Sequence, residues 1–165
     1  MNSLTGTRLD PVTETELLNV FNGQLPAEAI PDLNKVEWEA HDFLGWVHPA
    51  GHLAYMLLLS PKDGHLKGIE FRRFRFSGNG RGIHMCSLCH HIHPGGGTAM
   101  FSVSRKGSGG RHRLGNVVCK DLDCSLRIRD LVAPNDYYQE KLNVEAKIWR
   151  MQTRIHRWLN RAERL

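Results

Sequence analysis

Apolar and polar residues recur with different periods along this chain, and each period predicts an element. Thr13 opens a short helix through a capping box: its hydroxyl is placed to accept from the Glu16 amide, and the Glu16 carboxylate reaches back to the Thr13 amide. Val12 and Leu17 stand where a hydrophobic staple sits, and Leu17, Leu18, Val20 and Phe21 continue the turn. Gly23 then supplies a left-handed C-terminal residue. Residues 1–11 read as a loose arm before this helix, and residues 24–32, with Pro26 and Pro31, as a connector after it. Residues 35–49 hold Trp38, Phe43, Leu44 and Trp46, an aromatic density that predicts packing over an edge of the core.

From Leu53 to Leu59 the apolar run is continuous, which predicts a strand, and Pro61-Lys62-Asp63-Gly64 supplies the turn that follows. A return strand begins near Leu66 with Ile69 and Phe71 on one parity. Phe74 and Phe76 fall on the other, which predicts a bulge or break near Arg72 and Arg73. Residues 77–82 read as a turn, and Ile83 to Met85 as a strand. Ala99, Phe101 and Val103 alternate with Met100, Ser102 and Ser104 as a further strand, and Asn116 to Val118 form another. Near the end, beyond Pro134-Asn135-Asp136, Val144, Ile148, Met151, Ile155, Leu159 and Ala162 recur at spacings of three and four. They make one stripe of a long helix flanked by Trp149 and Trp158. Arg150, Arg154, Arg157, Arg161 and Arg164 cover much of its remaining surface.

The cysteines change the picture most. The chain has four, arranged as Cys86-x2-Cys89 and Cys119-x4-Cys124 with 29 residues between the pairs. Two thiolates in a tight turn grip one metal ion, and a second such pair completes the tetrahedral four-sulfur shell that structural zinc prefers. Two disulfides would require an oxidising compartment, and residues 1–6 have neither the basic start nor the apolar core of a signal peptide. A redox pair at Cys86 lacks a βαβ context and leaves the second pair unexplained. One structural Zn2+ held by Cys86, Cys89, Cys119 and Cys124 is therefore expected. Asp123 stands where it can cap a helix whose first turn carries Cys124. Hairpin, knuckle, second strand and a helix supplying the last ligand follow the logic of a treble-clef zinc finger. The expected fold is α+β: an antiparallel β-sheet, a treble-clef zinc finger and a long C-terminal helix. Residues 1–35 form an N-terminal arm with one short helix, and residues 36–165 the zinc-binding domain.

Charge narrows the partners. The net charge of +5 conceals ten acidic and four basic side chains in residues 1–70, against seven acidic and eighteen basic in residues 71–165. A positive half of this size implies an acidic protein surface or RNA as partner, unless the charge serves solubility alone. Its sharpest concentration is the glycine-rich loop from Arg105 to Arg113, so Arg105, Lys106, Arg111 and Arg113, with Arg127 on the neighbouring helix, are the candidate partner-binding residues. No phosphate loop, dinucleotide fingerprint or nucleophile elbow occurs. His84, His90, His91 and His93 cluster beside the first knuckle, as a histidine-dependent nuclease or an auxiliary ligand would require. Four thiolates leave zinc no open position for water, however, so no enzyme is expected. The longest apolar run is too short to cross a bilayer; a cytoplasmic monomer is the expectation.

Phe43-Leu44-Gly45-Trp46, Met85-Cys86-Ser87-Leu88-Cys89-His90 and Cys119-Lys120-Asp121-Leu122-Asp123-Cys124-Ser125-Leu126 together resemble the treble-clef domain of the elongation-factor-G-binding proteins. That family includes the FusB-type fusidic acid resistance proteins. The resemblance covers about residues 36–165 and carries the family's zinc ligands onto the four cysteines. It implies a zinc-stabilised module that binds elongation factor G and helps it leave the ribosome, without chemistry of its own. The resistance proteins place a helical bundle before the zinc domain; with only about 35 residues ahead of it, this chain resembles the short stand-alone members. The inner knuckle residues here are Ser87 and Leu88, so an aromatic anchor at that point is absent. The alternative is a zinc-stabilised module acting on ribosomal or transfer RNA.

Overall fold

A computed structural model describes residues 8–75, 82–132, 138 and 140–165. Phe76, the turn expected over most of 77–82, residues 1–7 of the expected arm and Pro134-Asn135-Asp136 lie outside the described residues. Five strands form an antiparallel sheet: β1 (Leu44–Val47), β2 (Leu53–Leu59), β3 (Leu66–Arg75), β6 (Thr98–Ser104) and β7 (Arg113–Cys119), in that spatial order. A two-stranded hairpin of β4 (Ile83–Met85) and β5 (Ile92–Pro94) stands beside it. Three α-helices, α1 (Glu14–Val20), α2 (Cys124–Arg127) and α3 (Val144–Arg161), and three single-turn 3-10 helices at Ala27–Ala29, Leu33–Lys35 and Trp38–Ala40 complete the described fold.

The unbroken apolar run of β2 is explained by what covers the sheet. Strands buried on both faces read as continuous hydrophobic runs. Ala54, Met56 and Leu58 point into a core shared with Phe71, Phe101 and the α3 stripe of Met151, Ile155, Leu159 and Ala162. Tyr55 and Leu57 point the other way, into a second cluster with Leu9, Val12, Leu17 and Leu25. Each such fully buried side chain contributes about 1.5–3 kcal/mol relative to exposure. The N-terminal segment is thus the cover of the second face. Leu9 is 2% exposed and its amide donates to the His41 carbonyl at 3.3 Å, so residues 8–11 are no loose arm.

The Thr13 capping box forms, and Val12 and Leu17 are both buried. Phe21 at the end of α1 lies flat against Gly68 of β3, where a Cβ would come within 2.8 Å of the ring. Trp46 stacks on Tyr55 and donates from Nε1 to the Ala29 carbonyl at 2.7 Å, which pins the connector to the sheet.

β3 departs from expectation. Its pairing with β2 and then with β6 runs without a bulge or break. The inward position after Phe71 is taken by Arg73, which is 5% exposed. Its Nε donates to the Lys120 carbonyl at 3.0 Å and its Nη1 to Gly51 at 3.1 Å, with the guanidinium 5.9 Å from the Phe101 ring centre. Phe74 points outward, 55% exposed. The parity never slips; a hydrogen-bonded arginine substitutes for an apolar residue.

Candidate metal centre

Each half of the centre is a turn imposed by backbone hydrogen bonds. After β4, the amides of Leu88 and Cys89 donate to the Cys86 sulfur at 3.4 and 3.5 Å, and His90 closes the knuckle with φ 63°. After β7, Leu122 donates its amide to the Cys119 carbonyl at 2.9 Å and takes φ 56°, turning the chain so that Cys124 falls in the first turn of α2. The first knuckle is sewn to β7 by the Ser87 amide, 2.8 Å from the Val117 carbonyl. The second rests on β1, where Gly45 leaves room for Leu122: a Cβ there would sit 2.5 Å from the Leu122 Cβ. Asp123 holds the N-cap position of α2 without capping it, because its carboxylate accepts from Arg127 Nε at 2.8 Å instead.

All four sulfurs lie within 4.8 Å of one another and all four cysteines are buried. The Cys86–Cys124 and Cys89–Cys119 sulfur separations are 3.6 and 3.5 Å. A Zn–S bond of about 2.3 Å in a tetrahedron sets sulfurs roughly 3.8 Å apart, whereas a disulfide needs about 2.05 Å. The set fits zinc. Burial raises the Cys86 thiol, but hydrogen bonds from the Cys119, Cys124 and Cys89 sulfurs outweigh it and hold Cys86 well below the usual thiol range. Cys124 is pushed well above it by the Cys119, Cys86 and Cys89 sulfurs and by burial. Sulfurs packed this closely do not all ionise without a cation among them, and zinc supplies that charge.

Two residues outside the ligand set hold the centre. His93 is 4% exposed with Nε2 3.2 Å from the Cys119 sulfur, yet it does not join the four sulfurs as a fifth close donor. Burial, then the charges of Arg127 and His91, lower its pKa to about 4, so the ring is neutral. The tautomer with its N–H on Nε2 is the one that donates to a Cys119 thiolate across this contact. Gly97 makes space for that ring, since a Cβ would stand 2.3 Å from Nδ1. Asp42, immediately before Phe43, accepts from Arg129 just beyond α2 at 2.6 and 3.0 Å, and its amide donates to Ser125 Oγ at 3.2 Å. Neither was marked by spacing. His93 was visible only as one of four clustered histidines, and Asp42 as one acid in an acidic half.

Arg105, Lys106, Arg111 and Arg113 belong to one structured loop and the strand that follows it. Positive φ at Gly107, Gly109 and Gly110 turns the backbone, Ser108 Oγ donates to the Arg105 carbonyl at 2.8 Å, and the Lys106 amide donates to Ala162 at 3.0 Å at the end of α3. Arg105 pairs with Glu163, while Arg113 donates to the hydroxyl and carbonyl of Ser102. Arg105, Arg111 and Arg113 line an open basin of ≈ 520 Å³ together with Arg161. Arg127 is not among its lining residues; it pairs with Asp123 and lies 3.3 Å from His91.

A second cleft, of ≈ 230 Å³, runs between the first knuckle, β7 and α3. Ser87, Leu114, Asn116, Arg154, Arg157 and Arg161 are among its lining residues, and Leu114 and Arg161 also border the basin.

Two knuckles closing a buried four-cysteine centre, with the last ligand on a helix, define a treble-clef zinc finger. The family model for the FBP C-terminal treble-clef zinc-finger matches residues 14–162. This chain belongs to that family. A solved structure of the fusidic acid resistance protein FusC is similar to it, with a TM-score of 0.54 and 19% identity. The similarity covers 72% of this chain and 53% of FusC, so the chain spans about half the length of that protein, and at this identity the likeness is one of fold. No curated protein sequence matches the chain.

Proposed function

We propose that this protein is a binding module that docks on translation elongation factor G and promotes its release from the ribosome, acting in the cytoplasm and without chemistry of its own. The observation that carries this reading is a rigid basic surface built over a closed zinc centre: the basin of Arg105, Arg111, Arg113 and Arg161, with its loop fastened to the end of α3. Four sulfurs within 4.8 Å of one another suffice to complete a tetrahedral shell, which would leave zinc no open position for catalysis. Zinc therefore fixes a surface and does not act on a substrate. The basin docks on an acidic face of the factor, and differential affinity for the factor's conformations biases it toward the one that leaves the ribosome. Membership of the FBP treble-clef zinc-finger family supports a role of this kind.

The test is a calorimetric titration of the zinc-loaded protein into elongation factor G from the same organism. Saturable binding near one to one is expected; no complex with zinc confirmed present overturns the reading. Arg111→Glu with Arg113→Glu should weaken the complex and reduce its salt dependence, as rim charges do. Because Arg113 also braces Ser102, Arg111→Glu alone serves as the control that leaves the strand intact. Unchanged binding in both variants excludes the loop as the docking site.

A further inference from the structure

Most arginines of the described structure already have partners: Arg105 pairs with Glu163, Arg127 with Asp123, Arg129 with Asp42 and Arg150 with Glu140. Arg73 and Arg164 donate to backbone carbonyls. Arg72 and Arg75 on β3 do not follow this rule, and neither do the three arginines of α3 beyond Arg150, which are Arg154, Arg157 and Arg161. All three are exposed, and among the described residues no carboxylate or carbonyl pairs with any of them. Their spacing of three and four residues sets them in a row on one side of α3. Seven residues at about 1.5 Å each make that row roughly 10 Å long.

The row forms one wall of the ≈ 230 Å³ cleft. The opposite wall offers Ser87 of the first knuckle and Asn116 of β7, neutral groups that both donate and accept hydrogen bonds. No acidic residue lines the cleft. Its apolar floor is closed: Leu88 is 1% and Trp158 5% exposed, and the Trp158 Nε1 is spent on the Leu114 carbonyl at 3.1 Å. Protein partners commonly bind through apolar or aromatic anchors that enter a central pocket, and of the apolar side chains lining this cleft only Leu114 is as little as half-buried. A phosphodiester backbone needs only charge and donors. We infer that the cleft between α3 and the first zinc knuckle binds the backbone of single-stranded RNA. Arg154, Arg157 and Arg161 take successive phosphates, and Ser87 and Asn116 face the sugar edge, where a 2′-hydroxyl is both donor and acceptor.

The dimensions agree. At roughly 3.4 Å per stacked nucleotide, a 10 Å row spans about three nucleotides. The strand lies along the open rim of the cleft, and the continuation past Arg161 into the basin of Arg105 and Arg111 gives it an exit over further positive charge. The amide of Ser87 is tied to the Val117 carbonyl, so the knuckle wall is fastened to β7. This inference does not depend on binding to elongation factor G, because RNA is measured without the factor present.

The experiment is fluorescence anisotropy of a labelled uridine 12-mer with the zinc-loaded full chain over a series of salt concentrations. Polyglutamate and the matching DNA 12-mer serve as competitors. For single strands, log affinity falls by about 0.7 per neutralised phosphate per tenfold rise in salt. The Arg154→Ala/Arg157→Ala variant should lower the slope by about 1.4 and weaken binding roughly tenfold near 0.15 M salt. The fold should survive, since neither side chain has an intramolecular partner. RNA should compete better than DNA, and either nucleic acid better than polyglutamate. Three results each overturn the inference: an unchanged slope in the double variant, polyglutamate competing as well as RNA, or no RNA binding above that of the variant.

Discussion

The Asp42–Arg129 pair offers the sharpest test of how the zinc finger is joined to the sheet. Asp42 sits just before β1 and Arg129 just after α2, 87 residues apart, with two hydrogen bonds of 2.6 and 3.0 Å between them. The Asp42 side chain is 3% exposed and that of Arg129 18%. Arg129 also donates to the Ser125 carbonyl at 3.0 Å, and Ser125 Oγ donates to Phe43 at 3.4 Å. Asp42→Asn keeps the shape and removes the charge, leaving a guanidinium largely shut away from water without its counter-ion. Breaking a buried pair from one side costs about 3–5 kcal/mol. That is a large share of the roughly 5–15 kcal/mol that holds a domain together. For a chain of this size it lowers Tm by about 6–20 °C. Removing both charges, as Asp42→Asn/Arg129→Met, should recover at least half of the loss, because the stranded charge is gone. Thermal and urea unfolding at fixed zinc concentration measures both effects, since free zinc itself shifts the equilibrium. A loss below about 1 kcal/mol, the value of an exposed pair, with no recovery in the double variant would refute the claim that this pair braces α2 against β1.

Two further outcomes concern the centre itself. Cys124→Ser should reduce bound zinc from one per chain to none and abolish the near-ultraviolet circular dichroism of the packed core, because the four cysteines share one apolar cluster with Leu88, Leu122 and Ile128; a metal-free variant that keeps that signal would contradict it. His93→Phe retains an aromatic ring but no N–H for Cys119, and should lower zinc affinity by about 10–100-fold in chelator competition, whereas His93→Gln, which keeps a donor, should stay close to the parent. Equal loss in the two would show that the ring only fills space.

The zinc ligands were legible because their chemistry requires a spacing, and nothing else accounts for two cysteine pairs and no remainder. The Thr13–Glu16 box and the α3 stripe were legible for a similar reason, each being a local pattern that the backbone reads within one or two turns. Arg73 was not, because the carbonyls that satisfy it come from Gly51 and Lys120, far away in the chain, and only those partners let an arginine take a core position. Leu9 was missed for a related reason. The run from Leu53 to Leu59 predicted a strand, but an isolated leucine before a helix carries no sign that it covers that strand's second face. His93 and Asp42 act on the centre through contacts that close over 26 and 87 residues, beyond any local period.

The same distinction separates the arginines, which composition alone presents as one basic half. What the fold adds is the identity of those already committed. Arg127, Arg129 and Arg150 are held by Asp123, Asp42 and Glu140, and all three hold down structure around the zinc: Arg150 also donates to the Cys89 carbonyl at 3.1 Å. Arg154, one turn further along α3, is exposed and lines the open cleft. A single helix thus turns one face of its charge inward to lock the first knuckle and leaves the next turns of charge facing solvent. Unpaired arginines stand in two places among the described residues: Arg72 and Arg75 are exposed on β3, whereas Arg154, Arg157 and Arg161 share one cleft, and Arg161 is common to the basin of Arg105, Arg111 and Arg113. That continuity is why the two surfaces must be separated by experiment with different probes: the loop variants against elongation factor G, and the helix variants against RNA.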